Sequence, residues 1–437
     1  DKHKLNYIMG NPPFAGYSLQ SKTQKEDILS VYVDEKGKPY KTAGKIDYVS
    51  GWYWKAAQLM QGTGIRTALV STNSITQGEQ VAGVWKPLYD RFGIHIDFAH
   101  RTFHWDSEAS IKAHVHCVIV GFSVAENPAP KRLFTSDQMQ QVNNINAYLI
   151  EAPNVFIESR TKSLCDVPLM TTGNRPADGG HLIIEADEYE GFIAKEPAAI
   201  PYIKKLVGSE EFINNKKRWC LWLVGISPGE LRKMPEVLKR VELCRAARLA
   251  SPDKGRQKLA EKPTVFRETL NPASFLIVPK VSSERRRYIP IGFFDENTIS
   301  TDLNFIIPNA NLYHFGILTS NVHMAWMRAV CGRLKSDYRY SKEIVYNNFP
   351  WPEPTEEQKA KIEATAQAIL DARALYPDSS LADLYDELTM PPELRTAHQK
   401  NDRAVWEAYG KAWDITSESD CVAALMKRYQ ALAAASA

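Results

Sequence analysis

Strand-like and helix-like segments alternate over residues 1–125 of this 437-residue chain, and that alternation limits the N-terminal fold most. Leu5–Gly10, Ile65–Ser71, Ile94–Ala99 and His114–Phe122 are apolar runs of strand length. Between them, Tyr48–Gln61 and Gly78–Phe92 repeat their apolar residues at helical spacing. Strands joined by crossover helices predict a mostly parallel, doubly wound, Rossmann-like sheet that takes ligands at the carboxyl ends of its strands. About four strands are visible, half of such a sheet, and neither a GxGxxG turn nor a P-loop is present. The chain opens on Asp1 with a strand almost at once, so a cofactor-binding half is expected ahead of it.

The first strand stops at Asn11-Pro12-Pro13-Phe14. Two prolines fix two φ angles, so the acceptors at this turn are positioned in advance. The Asn11 side-chain oxygen and the Pro12 carbonyl can each accept a hydrogen from one NH2 group, and Phe14 can stack on a flat ring. The set suits gripping an exocyclic amine while a methyl is delivered to its nitrogen. A plain strand-to-loop transition with a solvent-facing asparagine is the other reading.

Val124–Pro130 has linker composition, and the stretch 126–162 reads as a connector. In 163–350, Tyr202–Leu206 and Pro235–Leu249 read as helices, and Phe275–Val281, Tyr288–Phe294 and Asn304–Ile307 as strands. Thr355-Glu-Glu-Gln358 is a capping box opening a helix to about Tyr376. Helices at about Ser380–Leu388, Pro392–Tyr409 and Ser419–Ala434 follow, so 351–437 is a helical unit.

The net charge of +3 is unevenly spread: between Lys204 and Lys262 basic residues outnumber acidic ones about two to one, and Arg285-Arg286-Arg287 follows. A basic middle beside an acidic tail points to a polyanion held by the middle segment, or else to a solvated helical surface. No run has membrane length, and six scattered cysteines without a CxxC pair fit a reducing cytoplasm. His100, His104, His114 and His116 with Cys117 lack metal-ligand spacing, and no metal is expected there.

With Asn11–Phe14 as catalytic motif, and Ser71–Gly78 and His100–Trp105 where later motifs fall, the chain resembles the γ-class DNA methyltransferases that modify adenine N6. More specifically it is similar to the MmeI-like type IIL restriction-modification proteins. The matching stretches are Lys217–Trp222, Gly332–Ser341, Tyr346–Pro352 and the motifs between Leu384 and Gly410. The resemblance runs nearly end to end. It implies the second half of a methyltransferase domain over 1–125, an α+β target recognition domain over 163–350 and a helical domain over 351–437. It also implies S-adenosyl-L-methionine as cofactor, double-stranded DNA as partner and a bacterial cytoplasm. The N-terminal methyltransferase half, and a nuclease domain in the parent protein, would precede Asp1, so this stretch alone is expected not to methylate.

On that resemblance Asn11, Pro12, Pro13 and Phe14 are catalytic, with adenine flipped out of the duplex against Phe14. Phe103 or Trp105 is the candidate second wall of the pocket, and ordinary core packing is the alternative for each. Lys335 and Asp337, two apart in an extended segment, would read the two halves of a G·C pair, unless they form a mere surface charge pair. Arg333, Arg339, Arg285 and Arg286 are phosphate or base contacts. Two rivals stand. One is an RNA or protein amino-methyltransferase, which typically has Tyr after Asn-Pro-Pro. The other is a DNA-binding specificity module of a phage-defence methyltransferase without nuclease.

Overall fold

A computed structural model of the chain describes residues 2–105, 115–136, 138–410 and 417–435. The N-terminal module is built on a six-stranded sheet of β1 (Tyr7–Gly10), β2 (Arg66–Thr72), β3 (His95–Trp105), β4 (Val115–Ser123), β5 (Lys131–Thr135) and β6 (Gln138–Val142). Its spatial order is β1-β2-β4-β3-β5-β6. β1 pairs β2 and β3 pairs β5 in parallel, whereas β4 runs antiparallel to both β2 and β3, and β6 antiparallel to β5. The expected mostly parallel sheet is therefore a mixed one. Nine residues separate β3 from β4, too few for the crossover that parallel pairing needs. The sheet also claims Lys131–Thr135 and Gln138–Val142, read from composition as part of a connector.

The helices α1 (Lys22–Val31), α2 (Ser50–Met60) and α3 (Gly78–Phe92) follow local signals. Ser21 and Gln24 form a capping box at the start of α1, and Gly93 in the left-handed region closes α3. The apolar side chains of α2 and α3 share one core with the sheet. Tyr53 of α2 stacks on Phe122 of β4 at 5.4 Å and meets Trp85 of α3 edge-on. The Tyr53 hydroxyl lies 2.6 Å from Ser71 Oγ, so the end of β2 is held from inside the core.

The central module carries two four-stranded sheets and a three-stranded one. Residues 203–207, read as helical from Tyr202–Leu206, form a strand. They pair antiparallel with Trp219–Leu221 and in parallel with Thr298–Ser300, so two neighbouring strands override a weak local preference. The strand expected over Tyr288–Phe294 is shorter, at Gly292–Asp295. The basic middle is not all solvent-facing. Arg248, on the helix Pro235–Leu249, is fully buried and donates to the carbonyls of Pro176, Ala177, Leu259, Lys262 and Val265. That accounts for the whole donor set of one guanidinium and ties two segments, 176–177 and 259–265, to one helix.

The C-terminal helices Glu356–Ala374, Pro392–Ala408 and Glu418–Ala435 sit close to the sequence expectation, while Leu381–Leu384 is one short turn. Asp402, on the second of them, accepts from the Tyr288 hydroxyl at 2.7 Å and from the Asn321 amide at 2.6 Å. It thereby pins the helical unit to the central module. No helix among the described residues is long and apolar enough to cross a membrane.

Replacing Arg248 with Met should lower the free energy of unfolding by about 3 kcal/mol or more, because five carbonyls lose their donor. Denaturant titration of the two proteins checks this. Burial pushes the Asp402 carboxyl up to about 6, against the pull of its two hydrogen bonds and of Arg287 and Arg328. The folded form therefore binds the proton more tightly than the unfolded form, and stability falls as pH rises from about 4 to 6. The unfolding free energy of Asp402→Asn relative to the parent should accordingly rise by about 3 kcal/mol between pH 4 and 7.

Candidate active site and recognition hairpin

β1 is an edge strand whose register with β2 sets Gly10 beside Leu69, so Asn11 is the first residue beyond the pairing. Pro12 is buried, while Asn11 and Pro13 are exposed and Phe14 is 37% exposed. The turn thus anchors itself through one proline and presents the asparagine outward.

The loop after Phe14 is held by Asp47. Its Oδ1 accepts from the Tyr17 amide at 2.9 Å, its Oδ2 accepts from the Ser74 hydroxyl, and its own amide donates to Gln80 Oε1 at 3.0 Å. The Tyr48 amide also donates to the Ala15 carbonyl. One residue, through its carboxylate and its amide, therefore joins the turn after β1, the turn after β2 and the first turn of α3. Asp47 was missed in the sequence, because its partners lie 27 to 33 residues away and no local pattern marks it.

Beyond β2, Asn73 Nδ2 reaches Thr102 Oγ1 at 3.4 Å. Thr72 and Phe103 both pair with Cys117 of β4, so the ends of β2 and β3 lie level. The β3 ladder is irregular between His100 and Phe103, a bulge that resets which face each side chain takes. Phe103 is half-buried there. Asn11, Asn73 and Phe103 accordingly mark the strand ends along one rim of the sheet. The backbone of Trp105 pairs with Val115, but its side chain lies outside the described residues. So does His114. His100 stacks on Phe134 at 4.2 Å, and burial lowers its pKa. Among the described residues no group of His, Cys, Asp or Glu is placed to hold a metal.

The remaining candidates gather in the three-stranded sheet. Gly332–Leu334 and Asp337–Arg339 form a hairpin, and Val281–Ser282 pairs with its second strand. Leu334 faces Asp337, which leaves Lys335 and Ser336 as a two-residue turn. Lys335 has φ +57° and is exposed. The extended Lys335–Asp337 segment is thus corrected: Lys335 is the hairpin tip and Asp337 begins the returning strand. A two-residue gap between pairing strands needs positive φ, which the short run Lys-Ser-Asp did not signal.

Burial lowers the pKa of Arg286, and the charges of Asp337 and Asp386 oppose that. Arg333 braces the turn. Its guanidinium carbon is 3.9 Å from the Tyr338 ring centre, and Nη1 donates to the Ser336 carbonyl at 3.1 Å. Arg285 and Arg339 are exposed. Elsewhere in the basic middle, Lys216 pairs with Glu210 and Arg218 with Glu211, so part of that charge is spent within the fold.

A cavity of about 400 Å³ separates the two modules, lined by Tyr17, Asp47, Ser74 and Gln77 on one side and Arg333 and Arg339 on the other.

Comparison with known proteins agrees with this layout. The family model "MmeI, DNA-methyltransferase domain" matches residues 1–135, "MmeI, target recognition domain" 151–353 and "MmeI, C-terminal domain" 354–436. "DNA methyltransferase A" of Bacillus subtilis (strain 168) is 41% identical over 425 residues, spanning 97% of this chain and 47% of that protein. A solved structure of the type IIL restriction-modification enzyme MmeI in complex with DNA is 44% identical. It has a TM-score of 0.88 and covers 99% of this chain and 58% of its own. The chain thus spans about half the length of the relatives it matches.

Proposed function

This chain belongs to the MmeI family, and from that footing we propose that it is the base-gripping and target-recognition part of a site-specific DNA methyltransferase. Its substrate in this reading is the N6 amine of an adenine in double-stranded DNA, within a type II restriction-modification protein. The observation that carries the reading is the exposed Asn11 at the carboxyl end of an edge strand, backed by a buried Pro12.

Adenine N6 is a poor nucleophile because its lone pair is delocalised into the ring. Asn11 Oδ1 and the Pro12 carbonyl accept its two hydrogens and hold the lone pair toward the incoming methyl. The base leaves the duplex to reach them. Strands about 4.8 Å apart put β1 and β3 roughly 14 Å from each other. Phe14 beyond β1 and Phe103 on β3 are the two walls of the base pocket in this reading. Asn73 and Thr102 bound the rim between them.

S-adenosyl-L-methionine supplies the methyl group in this reading. The residues present do not fit its binding, for among the described residues no glycine-rich strand–turn–helix stands beside Asn11. Tyr7 and Met9 alternate onto one face of β1 and are 67% and 80% exposed, and Leu5 just ahead of it is 47% exposed. An edge strand so apolar calls for a neighbour. We assign that place, and the cofactor, to residues encoded ahead of Asp1.

The chain alone should therefore bind duplex DNA without methylating it, and the chain extended by its upstream residues should do both. In the extended protein Asn11→Ala should lower methyl transfer at least 100-fold with DNA affinity within about threefold. A gel shift beside a labelled-methyl assay measures both, and undiminished labelling would reject the reading. The recognition hairpin, with Lys335 at its tip and Asp337 at the start of its returning strand, reads one base pair of the site. Exchanging Lys335 and Asp337 for residues of other donor and acceptor type should change the methylated sequence at that position only. Sequencing of modified sites checks it, and an unchanged site would discard the hairpin as reader.

A further inference from the structure

The recognition hairpin approaches the catalytic module closely at a pair of glycines, Gly78 and Gly332. Gly78, the first residue of α3, has φ +54°, and a Cβ added to it would lie 3.3 Å from both the nitrogen and the Cα of Gly332. Gly332 opens the first strand of the hairpin. The contact is one-sided, because a Cβ added to Gly332 would meet nothing within 4 Å. A side chain at Gly78 must therefore push the hairpin away, whereas one at Gly332 enters open space.

A short stiff path runs through this point. Tyr17, three residues past Phe14, is bonded to Asp47, and Asp47 to Ser74, four residues before Gly78. On the other side Gly332 leads into Arg333, which is bonded to Ser336 in the turn beside Lys335. The cavity between the modules lies along the same path, with Gly78 and Gly332 both in its wall. Side chains elsewhere can rotate to absorb small shifts. Two backbones with less than a side chain's room between them have no such freedom.

We propose that the Gly78–Gly332 contact is the stop that sets the distance from the base-reading hairpin to the amine grip at Asn11. It rests on the function proposed above and deepens it: the contact selects which adenine, counted from the read base pair, is methylated. The duplex advances 3.4 Å per base pair, and transfer requires the reacting atoms near 3–3.5 Å, so a shift of a few tenths of an ångström reduces transfer before it reduces binding. Both glycines are positioning residues, since neither touches the base.

Two variants of the extended protein separate contact from strain. Asparagine tolerates the left-handed region, so Gly78→Asn adds the collision with little backbone penalty. Gly93→Asn is matched to it, at φ +61° at the other end of α3 with nothing within 4 Å. Gly78→Asn should lower kcat about tenfold or more, with DNA affinity within twofold and a melting temperature like that of Gly93→Asn. Gly93→Asn should keep kcat within twofold. On duplexes with the target adenine moved one base pair, Gly78→Asn should discriminate less well than the parent.

Equal kcat for Gly78→Asn and Gly93→Asn overturns the proposal, as does a parallel loss of affinity and kcat that follows the melting temperature. If the unmutated extended protein binds DNA but transfers no methyl, the function proposed above falls and takes this inference with it. Methylation by the parent together with an unaffected Gly78→Asn sinks the inference alone.

Discussion

The parallel pairing of Tyr7–Gly10 with Arg66–Leu69 is the constraint on which the rest of the site depends. Strand pairing has a period of two, so slipping by one residue would turn Ile8 away from the core and set Asn11 on the wrong face. Pro12 ends the ladder because it lacks an amide hydrogen, and its burial seats the turn. The asparagine is thus aimed by backbone geometry, with no help from a flexible loop. Tyr53, buried between sheet and helices, holds Ser71 and so steadies the strand that β1 leans on.

Around that strand end the molecule uses polar hubs where an apolar core could not reach. Asp47 gathers three turns at the edge of the site, and Arg248 gathers the loops of the central module. Asp402 ties the helical unit to the same module. Each hub is buried or nearly so, and each is satisfied by several partners, which is the condition under which a buried polar group orders its neighbours. The result is a rim and a hairpin held in one frame. A base-reading element and a chemical step need that frame to act at a fixed separation.

What was legible in the sequence was what is local. Asn11–Phe14, the helix Gly78–Phe92 with glycines at both ends, and the Thr355 capping box all state their geometry within a few residues. The family resemblance was legible too, and the matched domains bear it out. What failed was non-local. The antiparallel direction of β4 depends on which strands it lies between, and only the nine-residue spacing from β3 carries a local trace of it. Residues 203–207 became a strand because two other strands flank them. Lys335 was placed in an extended run because nothing in Lys-Ser-Asp announces a left-handed turn. Asp47 and Arg248 act only through partners far along the chain, so their importance is invisible until the chain is folded.

The central claim is that one carboxamide and one prolyl carbonyl hold the same amine. A structure of the extended protein with its duplex and an unreactive cofactor analogue measures this directly. The account predicts Asn11 Oδ1 and the Pro12 carbonyl oxygen each about 3 Å from the exocyclic nitrogen of a flipped adenine. An adenine left stacked in the duplex, or an amine held by other groups with Asn11 turned to solvent, would contradict it.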